Sequence, residues 1–263
     1  PAITVLTNLE IIRFGVDQFG SMALVDPNAL ETWALPGLRA YDSVSALANQ
    51  IFLMLPFFLA RVVLRSEEAI REILFALIVA GAIYSLPMLW ETRMSPQLHT
   101  QIYGFFQHDF AQAMRNGGFR PFVFMPHGLW VAFFAFMCTM AAAASLRETT
   151  RDQAGKRLLI VAFMFGLVVI CKSMGALLFA LMFVPIVLVF RPRFHLTIAA
   201  LLAVLVLSYP LLRGSGLIPT ERLVESIESF NEERAESLNY RFTNEDRILD
   251  HVSAKPLFGW GGW

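Results

Sequence analysis

Long apolar runs separated by short polar links dominate the chain. Runs at 45–64, 73–90, 122–146, 158–171, 175–190 and 194–212 carry few charges. A helix needs about 20 mostly apolar residues to cross a bilayer, and the six runs approach or meet that length. They are continuous rather than alternating, so they predict helices and not the strands of a barrel. Inside hydrocarbon a helix also pairs its backbone N–H and C=O groups within itself. After the sixth run the pattern changes. Leu223, Val224, Ile227 and Phe230 recur at helical spacing and predict an amphipathic helix over 220–235, opened by Pro219 and Thr220. Ile248, Leu249 and Val252 predict a second short helix over 244–252, and 256–263 reads as a turn or a re-entry toward the membrane. The expected class is all-α: an N-terminal extracytoplasmic segment over 1–44, a transmembrane helical bundle over 45–212 and a helical periplasmic loop over 213–263.

The polar links orient this bundle. Arg61, Arg65 and Arg71 flank the first link, Arg147, Arg151, Lys156 and Arg157 fill the third, and Arg191 and Arg193 form the fifth. Alternating spans put all three on one side, where the fourth link has only Lys172 on the other. Short cytoplasmic links collect Lys and Arg, so the three arginine-rich links are expected in the cytoplasm. The segments 1–44, 91–121 and 213–263 then face the periplasm of a bacterium.

Composition agrees with a membrane protein. Hydrophobic residues make up 56% of the chain and charged residues 16%, against about 25% charged in an ordinary soluble domain. Zero net charge gives no reason to expect a nucleic-acid partner. Cys138 and Cys171 lie in apolar runs and read as small apolar side chains rather than a disulfide. The chain opens at Pro1 without a signal-peptide pattern and stops on Gly259-Trp260-Gly261-Gly262-Trp263, which reads as a piece of a longer membrane protein.

No GxGxxG, Walker, GxSxG, HExxH or CxxC motif occurs, and no Asp-x-Asp of the kind that holds a nucleotide sugar through a metal. The five histidines do not cluster by spacing, so no metal and no cofactor is expected. What remains is a set of cations on the non-cytoplasmic side: Arg120, Lys172, Arg241 and Arg247. Such a set suits a phosphorylated lipid headgroup, which Arg grips bidentately. Simpler readings stand beside this one. Arg120 is placed to snorkel at a helix end, Arg241 and Arg247 to lie in a solvated charged loop, His127 to satisfy backbone groups near Pro126, and His251 to be a surface histidine. Lys172 sits in a very tight turn between two spans, where an ionisable group is costly and is by default a functional hypothesis; a simple interfacial Lys is the reading beside it.

The tail carries Ser237-Leu238-x-x-Arg241, then Ile248-Leu249, then Lys255-Pro256-Leu257-Phe258-Gly259-Trp260-Gly261. This order resembles the O-antigen ligase and O-antigen polymerase superfamily. Gly118-Phe119-Arg120-Pro121 with Pro126-His127 resembles the segment that opens the family's core spans. Ser173-Met174-Gly175-Ala176-Leu177-Leu178 resembles its Ser-Arg-Gly-Ala-Leu-Leu turn, with Met174 in place of Arg and Lys172 supplying a nearby cation. The resemblance covers 117–263. It implies a multi-pass, metal-independent glycosyltransferase of the bacterial inner membrane, active at its periplasmic face. The partners implied are a polyprenyl-diphosphate-linked glycan as donor and an acceptor glycan or lipid A-core. Arg120, Lys172, Arg241 and Arg247 become the diphosphate contacts, with His127, Ser173 and His251 in support. The catalytic base is implied beyond Trp263, so this piece alone is expected to be inactive. A membrane transporter or exporter is the competing reading: it would use Pro56, Pro87 and Pro185 to break helices at the midplane. No internal repeat is visible, and the charges gather at one surface. A non-catalytic membrane subunit is a third reading.

Overall fold

The computed structural model describes residues 2–9, 11–16, 22–24, 32–115, 117–229, 232–255 and 257–260. It is an all-α polytopic bundle with two small antiparallel sheets. The helix α1 (Ala2–Leu6) precedes β1 (Ile12–Val16), β2 (Met22–Leu24) and β3 (Thr32–Leu35). These strands pair in the order β2-β1-β3, with Phe14 opposite both Leu24 and Trp33. The helices α2 (Ala40–Val63) and α3 (Glu67–Met94) follow, then the short α4 (Leu98–Tyr103) and a 3-10 turn at Phe110–Ala113. The two-residue strands β4 (Met114–Arg115) and β5 (Gly118–Phe119) form a hairpin. The remaining helices are α5 (Gly128–Arg147), α6 (Arg151–Ile170), α7 (Met174–Val189), α8 (Pro192–Gly214), α9 (Thr220–Glu228) and α10 (Glu232–Ser253).

Each of the six apolar runs contains a helix. Five of these helices are long and apolar enough to cross a membrane, while α7 has 16 residues and reaches only about 24 Å. Pro56, Pro87 and Pro185 lie inside α2, α3 and α7, and each helix continues through its proline. The third span starts at Gly128 rather than at 122, because 120–127 is an ordered loop with its own anchors. The tail is more helical than its periodicity suggests. Ser237, Arg241, Asn244 and Val252 all fall on α10, which reaches upstream to Glu232. Phe230 lies outside the described residues.

The chain forms two compact units, one of residues 62–204 and one of residues 1–61 with 205–263. In the first, α5 packs on α3, α6 and α7. Its buried positions are mostly small: Ala132, Ala135, Cys138, Ala141, Ala142 and Ala143. Small residues let helices approach closely where lipid offers no hydrophobic drive to associate. Gly81 of α3 is part of that seam, since a Cβ there would lie 2.9 Å from Cys138 Sγ. Both cysteines are free and buried, as the apolar-side-chain reading expects. At one end of this unit Arg71 pairs with Glu148 at 3.1 Å, Arg157 donates to Ser145, and Arg147 donates to the carbonyls of Val187 and Phe190. The starts and ends of α3, α5, α6 and α7 therefore alternate as spans do, with arginines collected at this end.

In the other unit Arg213, at the end of α8, is 9% exposed and clasps α10. Its guanidinium lies 3.3 Å from Glu245 and 2.6 Å from Asp246, and Tyr209 donates to Glu245 as well. The N-terminal turn meets the tail here. The Asn8 amide donates to the carbonyl of Gly259 at 2.9 Å, and Lys255 Nζ donates to Thr7 O and Asn8 Oδ1.

Candidate functional site

The end of the 62–204 unit opposite the arginine links is where α3 and α6 finish and α5 and α7 begin. Residues 120–127 cross this end as a loop tied down from four directions. The Arg120 N–H donates to Ala113 O at 2.8 Å. Both oxygens of Glu91, in the last turn of α3, accept backbone protons: Oε2 from Phe122 and Val123 at 2.8 and 2.7 Å, Oε1 from Leu98 at 3.1 Å. Gln107 donates to the carbonyls of Val123 and Met125, and the Tyr84 hydroxyl accepts from Phe124 N–H. These contacts hold Val123 at φ +50°, an unfavourable conformation for a β-branched residue. His127 then caps α5, its Nδ1 accepting from Leu129 N–H while Nε2 faces Gln112 Oε1 at 3.3 Å. That pattern fixes the proton on Nε2. Burial, then Arg120, His108 and Arg115, hold the imidazole below its ordinary pKa, which favours the same neutral form.

Arg120 is the unusual residue of this end. It is 3% exposed, and its Nε and Nη2 have no hydrogen-bond partner. Burial, followed by repulsion from Arg115, pushes its guanidinium below the usual value. Cys171 is near enough to matter, but it is a buried free thiol in apolar surroundings and supplies no negative charge at neutral pH. Glu91 is committed to backbone, and among the described residues no carboxylate pairs with Arg115, Arg120 or Lys172. A buried cation without a counter-ion is costly, and here Arg115 repels it as well. Lys172 stands at φ +49° in the turn between α6 and α7 and donates to Arg115 O at 2.9 Å, next to Gly118.

Gly128 makes room for this arrangement. A Cβ at that position would lie 2.6 Å from Arg120 Nε and 2.8 Å from its Cδ. Gly128→Ala is therefore expected to expel the guanidinium from its seat on the first turn of α5. Ala is a better helix former than Gly, so the helix itself should survive. Any anion binding that depends on this guanidinium should weaken about tenfold or more, by the loss of one oriented donor group. Wild-type affinity for inorganic diphosphate in Gly128→Ala would separate Arg120 from an anion site.

The structure thus brings Arg120, Lys172, Ser173 and His127 to one end of one unit. Ser173 is buried at the start of α7, and its side chain makes no capping bond. Arg241, Arg247 and His251 belong to the other unit, on α10. Arg241 and Arg247 are exposed. Arg241 lies on helix where a loop was expected, Arg247 falls within the helix predicted over 244–252, and the nearby acids Glu245 and Asp246 are engaged by Arg213. His251 is stacked on Trp260 at 4.2 Å, and its carbonyl accepts from Trp260 Nε1. Sequence reasoning missed Glu91, Arg115 and Gln107. A carboxylate in the last turn of a helix was the available signal, since it opposes the helix dipole.

Residues 158–263 match the family model described as O-antigen ligase. That stretch holds Lys172, Ser173, Arg241, Arg247 and His251, and it bears out the resemblance drawn from the tail motifs. No curated protein matches the chain, and neither does any solved structure.

Proposed function

We propose that the full-length protein transfers glycan from a polyprenyl diphosphate to an acceptor glycan or lipid A-core, at the periplasmic face of a bacterial inner membrane. The match at 158–263 supports glycan ligation or polymerisation in general, and the apolar helices make this a multi-pass membrane protein. The observation that carries the finer reading is Arg120, a buried guanidinium with two unpartnered nitrogens near Arg115, whose carbonyl accepts from Lys172. Among the described residues no carboxylate pairs with these cations, which supports a bound anion at this end of the bundle.

A lipid diphosphate fits the chemistry. The acceptor hydroxyl attacks the anomeric carbon, the bond from that carbon to the diphosphate oxygen breaks, and the hydroxyl proton passes to a base. Negative charge grows on the departing diphosphate, and Arg120 and Lys172 stabilise it where it develops. His127 has both ring nitrogens engaged, so it shapes the loop rather than taking the proton. The family resemblance implies diphosphate contacts at Arg241 and Arg247, with Ser173 and His251 in support.

Deleting the gene in its host and analysing surface glycan tests this reading. Lipid A-linked glycan lost, with polyprenyl-linked polymer accumulating, identifies a ligase. Single repeat units still attached while long chains vanish identify a polymerase. An unaltered glycan profile rejects both.

A further inference from the structure

Glu91 is 1% exposed, in the last turn of α3. Nothing in the stability of that helix asks for it. A carboxylate near a helix C-terminus faces the negative end of the dipole, and burying it adds a desolvation cost. It makes no ion pair among the described residues. Its two oxygens are instead used on three backbone N–H groups, of Leu98, Phe122 and Val123. Two of these follow Arg120 by two and three residues, with Pro121 between, and the second belongs to the left-handed Val123. Successive N–H groups around such a residue form a concave nest that attracts an anion.

From this we infer that Glu91 is a positioning residue for the anion site at Arg120. By filling the nest at 122–123 with an internal carboxylate, it fixes the loop so that the Arg120 guanidinium stays seated against Gly128. It also leaves the Arg120 charge uncompensated and available to a diphosphate. The inference rests on the proposed function, since it takes Arg120 as the diphosphate contact. Gln cannot replace Glu91 here. Whichever way its amide is turned, an NH2 group faces at least one of the three backbone donors.

The test is equilibrium binding of inorganic diphosphate to the purified full-length protein in detergent, with thermal unfolding followed in parallel. Arg120→Lys is expected to weaken binding about tenfold, by loss of the guanidinium fork. Glu91→Gln is expected to weaken it by a similar factor, although the Arg120 side chain is intact. The double variant should bind within about twofold of Arg120→Lys, because coupled residues are not additive. A purely structural Glu91 would give an independent second loss, and either that result or wild-type affinity in Glu91→Gln would overturn the inference. If Arg120→Lys itself binds like wild type, the proposed anion site is what fails. Gln107→Leu releases the same loop at Val123 O and Met125 O without touching a charge. It should weaken binding about threefold, and it replaces Glu91→Gln in the cycle if that variant does not accumulate.

Discussion

Arg120→Met should yield a protein that resists unfolding better than the wild type and transfers no measurable glycan. The two effects have one origin. In the free protein the guanidinium is withdrawn from water, and its Nε and Nη2 meet no acceptor. A buried polar group left unsatisfied costs about 1–3 kcal/mol, and a charged one more. Met has a comparable unbranched stem, carries no charge, and adapts to irregular gaps. Thermal or denaturant unfolding of the full-length variant in detergent should show a gain of about 1–3 kcal/mol. Transfer should fall about a hundredfold or more, as when an oriented donor is removed from a developing charge. A residue that merely braced the loop would do the opposite, with stability dropping in step with activity. An Arg120→Met variant in which stability and transfer fall together would therefore reverse the assignment.

The second large effect is expected at Arg241. Cells carrying Arg241→Ala in the full-length gene should lose mature surface glycan while the protein stays at its normal level. Arg241 lies exposed on α10, so truncating it removes no packing. Acids surround it in sequence, and self-neutralisation would be the natural expectation. The structure removes that expectation in part, since Glu245 and Asp246 are drawn to Arg213. An exposed Arg that only solvates a helix is worth little when removed. One that grips a leaving diphosphate costs about a hundredfold in transfer. Arg222→Ala, on α9, supplies the control with glycan unchanged. Normal glycan in Arg241→Ala would leave the tail motif without a chemical role.

The spans were legible because hydrocarbon imposes one rule on every residue of a long run. That is why each of the six apolar runs contains a helix, and why Pro56, Pro87 and Pro185 do not interrupt theirs. The start of the third span was not legible. Apolarity alone extends it back to Phe122, but Glu91 and Gln107 hold 122–125 in a loop through contacts 16 to 32 residues away in sequence. The strands at Ile12–Val16 and Thr32–Leu35 were overlooked. Their alternation covers four or five residues, too short to stand out beside runs of twenty. At the site, the cations Arg120 and Lys172 could be picked out because charge is rare in such a chain. Their partners could not. Glu91 reads as one more acid at a helix end, and only the fold reveals that it serves the backbone of a loop 31 residues on.

The hydrogen bond from Asn8 to Gly259 joins residues 251 positions apart. A ribosome adding 5–20 residues per second needs roughly 10–50 s to cover that distance. Every apolar helix has been synthesised before the acceptor carbonyl exists, so the turn at Asn8, held meanwhile by its local bonds to Thr4 and Thr7, must wait for this partner through the synthesis of the bundle. Its docking, together with the Lys255 contacts to Thr7 and Asn8, is a closing step of assembly, and a nascent chain arrested before Lys255 would expose the N-terminal turn to proteases.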